Sequence, residues 1–234
     1  MKKYIIFGAG AFLSDLFDLI HMNNGRVSQI YQNVKETTDD RVISLRERVN
    51  LLDYEVEVHP SLESFVKPDE EVSYVIGCLT VQKYKLVEEL KQNHGLYFDS
   101  LVHPSVSLGS NVHIGEGLII NAGTVIAPNV YLDDFCSVNR AASIGHDTKI
   151  GKFSQVGPGV SLAGSCRIGN HSFIGIGACI LDRLHIGDWA VIGAGSVVTK
   201  DIEESVVALG APARKIRKNK NQDFTKYQAT LLSS

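Results

Sequence analysis

Beginning at Val102, every sixth residue is Ile, Leu or Val through Val198, seventeen positions in an unbroken series. The residue after the aliphatic is Gly in nine of these hexads (109, 115, 145, 151, 157, 169, 175, 187 and 193). Four residues after it, fourteen of seventeen are Ala, Cys, Ser, Thr or Val, among them Val112, Thr124, Cys136, Ala142, Ser154 and Ala178. A six-residue period of this kind predicts a parallel β-helix. The aliphatic points inward, the small or β-branched residue fits a tight interior position, and the glycine accommodates the turn.

Residues 1–98 follow a different pattern. KKYIIFGAG (2–10) reads as an apolar strand entering a glycine turn, followed by a helical stripe through Leu13, Leu16, Phe17 and Ile20. Val27–Tyr31 and Val72–Gly77 read as strands and Val81–Lys91 as a helix, with 32–50 a polar loop or edge excursion. Alternating strand and helix predict a small parallel α/β domain. The expected organisation is an α/β domain over 1–98, a β-helix over 99–216 and a polar tail over 217–234, poorly ordered at its tip.

Composition narrows the function. A net charge of −3 speaks against nucleic acid or an anionic membrane as partner. No run of 18 apolar residues is present, and Asp15 and Asp18 break the N-terminal apolar stretch, so neither a membrane span nor a signal peptide is expected. The four cysteines have no metal-like spacing and read as reduced thiols of a cytoplasmic protein. Five histidines (103, 113, 146, 171 and 185) lie in the repeat without ligand spacing, so no metal is expected, and His113, His171 and His185 read as solvent-facing.

Two motifs carry chemistry. GAG at 8–10 begins like a phosphate-binding turn, but Leu13 stands where a dinucleotide fingerprint needs its third glycine, and Gln32 and Asn33 stand where it needs an acid. A generic nucleotide or sugar-phosphate turn and a purely structural turn remain open. In SIGHDTKIG, His146 stands beside Asp147, a base with a carboxylate to orient it. Eighteen residues on, Gly164 stacks at roughly 5 Å, with a backbone N–H available to an oxyanion. Asn139, in the preceding hexad, offers an amide to a substrate polar group. This spacing suits acyl transfer; a solvated His–Asp pair is the plain alternative.

The stretch NRAASIGHDTKIGKFSQVGPGVSLAG (139–164), the unbroken hexads and GAPARKI (210–216) resemble bacterial sugar acyltransferases of the NeuD/PglD type. The N-terminal segment fits too, so the resemblance spans nearly the whole chain. It implies a small Rossmann-like sheet followed by a left-handed parallel β-helix, three hexads per coil, an exception to the right-handed crossover rule. Five to six coils at roughly 4.8 Å each give a prism on the order of 25–30 Å long. The resemblance further implies a cytoplasmic homotrimer with sites between neighbouring β-helices. It would transfer acetyl from acetyl-CoA to the amine of a nucleotide-linked amino sugar, in lipopolysaccharide or other surface-glycan synthesis. His146 becomes the catalytic base, Asp147 the residue raising its basicity, Asn139 an acceptor contact and Gly164 the partner of the acetyl carbonyl. Ile176 and Ala194 fall at CoA contacts, and Gly10, Ala11, Phe12, Gln32, Asn33 and Gly77 at nucleotide-sugar contacts. The chain departs from the family at Ala11-Phe12-Leu13 (usually Gly-His-Gly), at Gln32-Asn33 (usually two aspartates), and at Gln155 (usually a histidine on the CoA side). Arg214, Lys215, Arg217, Lys218 and Lys220 are either CoA-phosphate contacts or a solvated tail. Sugar O-acetylation, as on a sialic acid, a catalytically silent scaffold and a metal-dependent hydratase complete the alternatives.

Overall fold

The computed structural model describes residues 1–10, 12–33, 43–78 and 83–219. The chain divides into two compact units, Met1–Leu101 and Val102–Ser234.

The first unit contains β1 (Lys2–Phe7), α1 (Leu13–Met22), β2 (Gly25–Tyr31), α2 (Leu45–Asn50), β3 (Glu57–His59), β4 (Ser73–Ile76) and α3 (Lys83–His94). The four strands form one parallel sheet in the order β3-β2-β1-β4. Ile5, Ile6 and Phe7 of β1 are buried, as a central parallel strand between two covered faces requires. The stripe of Leu13, Leu16, Phe17 and Ile20 on α1 is buried as its spacing predicts. Within 32–50 the chain is not simply loop, because Leu45–Asn50 is helical. Ser44 starts that helix with a capping box: its hydroxyl accepts from Glu47 N–H while the Glu47 carboxylate accepts from Ser44 N–H at 2.8 Å. The expected helix start at Val81 lies outside the described residues.

The second unit is built from two-residue strands whose second residue is each aliphatic of the series. Residues 18 apart pair in parallel, as in Ser143↔Ser161 and Ile144↔Leu162, so three hexads complete one coil and the strands stack into three parallel sheets. One sheet carries strands from His113–Ile114 to His185–Ile186, the second from Leu101–Val102 to Val191–Ile192, and the third from Ser107–Leu108 to Val197–Val198. We call them the first, second and third faces. The chain visits them in the order second, third, first. Fourteen of the seventeen aliphatics are buried in one continuous core, and each fully buried one contributes about 1.5–3 kcal/mol. The three exceptions, Val102, Leu108 and Ile114, belong to the first coil, which no coil precedes; Leu108 is 45% exposed and the other two are half-buried. Small polar residues in the interior are satisfied across coils, Ser154 Oγ donating to Gly169 O at 2.6 Å and Ser172 Oγ to Gly187 O at 2.8 Å.

The glycines after the aliphatics serve a purpose other than the expected one. None of the nine has a positive φ. A Cβ at Gly145 would lie 2.5 Å from the backbone of Ala163 and Gly164, and one at Gly109 would lie 2.5 Å from Pro128 N. Close stacking of successive coils excludes a side chain there. The left-handed conformation falls two residues later, at the third residue after each aliphatic from Asn111 to Gly195. Glycine fills only five of those fifteen corners (117, 123, 159, 177 and 195). The others include the column Asn111, Asn129 and Asp147, and the column Phe135, Phe153, His171 and Trp189. The second column forms an aromatic ladder with centroid spacings of 5.2, 5.2 and 4.0 Å, so His171 is half-buried between Phe153 and Trp189 rather than simply solvent-facing. Beyond the last coil, Val206–Gly210 pairs with Val191–Ile192 and then antiparallel with Ala213–Lys218.

Candidate active site

The His146–Asp147 pair sits where the chain leaves the third face and turns toward the first. Asp147 occupies the left-handed corner (φ 59). Its N–H donates to Pro128 O at 3.1 Å, and Ser165 N–H of the next coil donates to His146 O at 2.7 Å, so both backbones are fixed to neighbouring coils. Both side chains are exposed, at 65% and 49%, and open to a substrate. Asp147 Oδ2 lies 2.7 Å from His146 Nδ1. The His146 ring beside it, then the Asn129 amide, hold the Asp147 carboxyl below the usual carboxylate range. An ionised carboxylate accepts, so in the neutral ring Nδ1 carries the proton and Nε2 presents its lone pair.

Gly164 lies directly over the ring. A Cβ there would stand 2.7 Å from His146 Nε2 and 2.8 Å from Cε1. Only glycine lets the imidazole rest against this backbone. Gly164 O accepts from Arg183 N–H at 3.0 Å, while its own N–H meets no acceptor among the described residues. A lone pair beside a free amide N–H can take a proton from a nucleophile while a donor receives an oxyanion.

The remaining candidates of this unit lie elsewhere. Asn139 follows a strand of the second face, one corner earlier, and Ile176 and Ala194 occupy the same second-to-third corner two and three coils on. Asn139 Oδ1 accepts from Arg140 N–H at 2.8 Å and from Asn121 Nδ2 at 3.3 Å. Ile176 is 57% exposed and Ala194 is exposed. Gln155 projects half-buried from the second face. Within one chain, therefore, His146, Asp147 and Gly164 come together, whereas Asn139, Ile176 and Ala194 form a second set across the third face. Of the basic residues, Arg214, Lys215, Arg217 and Lys218 are exposed on the last strand, where Lys215 pairs with Glu203 at 2.5 Å. Lys220 lies outside the described residues. Among the described residues no group of three His, Cys, Asp or Glu could hold a metal, and no helix is long and apolar enough to cross a membrane.

In the first unit, candidates gather at the carboxyl ends of β1, β2 and β4, the edge at which open parallel sheets place ligands. Gly8 N–H donates to Tyr31 O and Gly77 N–H to Phe7 O, both at 2.8 Å. A Cβ at Gly77 would lie 2.4 Å from Gly8 O, whereas one at Gly10 would meet nothing within 4 Å. Gly77 thus permits close packing, and Gly10 leaves open space. Gln32 N–H donates to His59 O at 3.0 Å. Asn33 Oδ1 is buried with no hydrogen-bond partner among the described residues. Phe12 is 9% exposed and caps α1 from within the core. Ala11 lies outside the described residues. Sequence reasoning missed the residues around Asp147: Asn129 Nδ2 donates to Asp147 Oδ1 at 3.1 Å and Arg167 Nη1 to Asp147 O at 2.7 Å. The eighteen-residue spacing from Asn129 to Asp147 was the signal that could have found the first.

Comparison with known proteins settles the architecture. Residues 165–200 match the model of the bacterial transferase hexapeptide family (six repeats). The fold is a left-handed parallel β-helix of hexapeptide repeats. No curated protein sequence matches it. Among solved structures, this hexapeptide-repeat protein is similar to a histidine mutant of GDP-perosamine N-acetyltransferase from Caulobacter crescentus, in complex with CoA and GDP-perosamine. The TM-score is 0.80 at 23% identity, over 93% of this chain and 98% of that one. It is similar to the acetyltransferase domain of PglB from Neisseria gonorrhoeae FA1090 in complex with acetyl coenzyme A (TM-score 0.78, 23% identity, 92% and 99% coverage). It is also similar to WeeI from Acinetobacter baumannii AYE (TM-score 0.76, 22% identity, 92% and 100% coverage).

Proposed function

We propose that the protein is an acetyl-CoA-dependent N-acetyltransferase acting on the amine of a nucleotide-linked amino sugar, in surface-glycan synthesis. The observation that carries this reading is the His146 corner: Nδ1 against an ionised Asp147 and Nε2 against the Gly164 backbone with its free N–H. The whole-length likeness to folds holding CoA and an amino sugar supports the choice of donor and acceptor.

In the proposed reaction the sugar amine attacks the thioester carbonyl while His146 Nε2 takes a proton from the nitrogen. Gly164 N–H stabilises the tetrahedral oxyanion, and collapse forms the amide and expels CoA thiolate, which takes up the proton. Asn139, Gln155, Ile176 and Ala194 belong to the acceptor and CoA walls. Gly10, Ala11, Phe12, Gln32, Asn33 and Gly77 are the nucleotide-binding residues of the first unit in this reading. A homotrimer brings the two sets together, the His146 corner of one copy facing the Ile176 corner of the next.

The test is CoA-thiol release from acetyl-CoA across a panel of nucleotide 3- and 4-amino sugars, with His146→Ala alongside. Cys179 is an exposed free thiol, so a no-acceptor control is needed. Release should require an amino sugar and fall by about 10²–10⁴-fold in the variant. Near-normal turnover by His146→Ala would sink the assignment, and release only with hydroxyl acceptors would turn the reading to O-acetylation.

A further inference from the structure

An exposed aspartate on a corner would ordinarily face only solvent, but Asp147 is held by side chains at both oxygens. Each of its carboxylate oxygens has one partner: Oδ2 faces His146 Nδ1 at 2.7 Å, and Oδ1 accepts from Asn129 Nδ2 at 3.1 Å. Asn129 is held in its turn. An ionised carboxylate only accepts, so the Asn129 amide nitrogen faces Asp147, which leaves Asn129 Oδ1 to accept from Asn111 Nδ2 at 3.0 Å. Asn111, Asn129 and Asp147 are successive left-handed corners of one column, φ 56, 61 and 59, so equivalent side chains recur coil above coil. An Asp at 129 would bring two carboxylates together and offer no N–H. Arg167 Nη1, reaching Asp147 O at 2.7 Å from the following coil, closes the arrangement from the other side.

We propose that Asn129 is a positioning residue: its amide, oriented by Asn111, pins the Asp147 carboxylate against His146 Nδ1 and so fixes which ring nitrogen faces the acceptor. The reach of this inference into catalysis rests on the transferase reading; the ring geometry does not.

The experiment uses the full chain with ¹⁵N-labelled histidine, with His146→Asn to assign the His146 signals. Wild type should show the neutral His146 ring protonated on Nδ1. Asn129→Gly keeps a residue suited to a positive φ, and Asn129→Asp keeps the shape without the donor. Both should move His146 toward a tautomer mixture with the fold retained. Both should lower kcat by roughly 10- to 100-fold, the range of outer-shell partners of metal-bound histidines, at unchanged KM for acetyl-CoA. Asn111→Gly, one coil further away, should act in the same direction and less. Unchanged ring nitrogens in both Asn129 variants would overturn the proposal, as would a kcat loss without a tautomer change. Ring signals that shift as described, in a protein that never releases CoA, would leave the positioning role standing and remove the transferase reading.

Discussion

The three atoms nearest to a methyl group added at Gly164 all belong to the His146 imidazole, the closest being Nε2 at 2.7 Å. The φ of Gly164 is one that any residue adopts, so Gly164→Ala carries no backbone strain. His146 is exposed enough to swing away. The expected result is a stability change within about 0.5 kcal/mol and a fall in kcat of about 10²-fold, read by denaturant titration and thiol release. Asp147 adds a pH signature. Its pKa is depressed, so its favourable interactions are present above the unfolded carboxylate value and are lost as pH falls through the lower, folded one. The stability difference between wild type and Asp147→Asn should therefore hold at neutral pH and shrink below about pH 4. A difference that did not shrink on acidification would refute this account.

Individual hexads separate two uses of glycine that look alike in a sequence. Gly175 and Gly177 lie two residues apart. A Cβ at Gly175 would stand 2.7 Å from both Ala194 N and Ile192 O, whereas Gly177 (φ +66) has nothing within 4 Å. Gly175→Ala must force two coils apart and should cost about 1–3 kcal/mol. Gly177→Asn, a side chain suited to the left-handed region, should cost under about 1 kcal/mol. Equal losses in denaturant titrations would refute the assignment of close stacking to one and backbone conformation to the other. The inward aliphatics were legible because every strand repeats the same demand for an apolar residue. The corner conformation was not, because Asn, Asp, Ser, Arg, Ala and aromatics occupy it as well as Gly, so no residue type marks it. Ser44 and Glu47 did spell a capping box, yet the polar run from 32 onward hid it.

Across the molecule, legibility followed the columns. His146, Asp147 and Gly164 are neighbours by an eighteen-residue stacking that arithmetic on the sequence reproduces, and the structure brings them into contact. Asn139, Ile176 and Ala194 stand on another corner because the order in which the chain visits its faces separates them from His146. Within one chain the two sets stand on separate corners, and the proposed trimer would unite them through a head-to-tail contact repeated around a threefold axis. This makes subunit complementation decisive. His146→Ala spoils one corner and Ile176→Glu, at an exposed position, spoils the other. Each variant alone should be inactive. When equal amounts are co-expressed and assort at random, about a quarter of the contacts between neighbours join an intact His146 corner to an intact Ile176 corner, and about a quarter of wild-type activity should return. If the two sets worked within one chain, every copy would carry a defect and mixing would restore nothing.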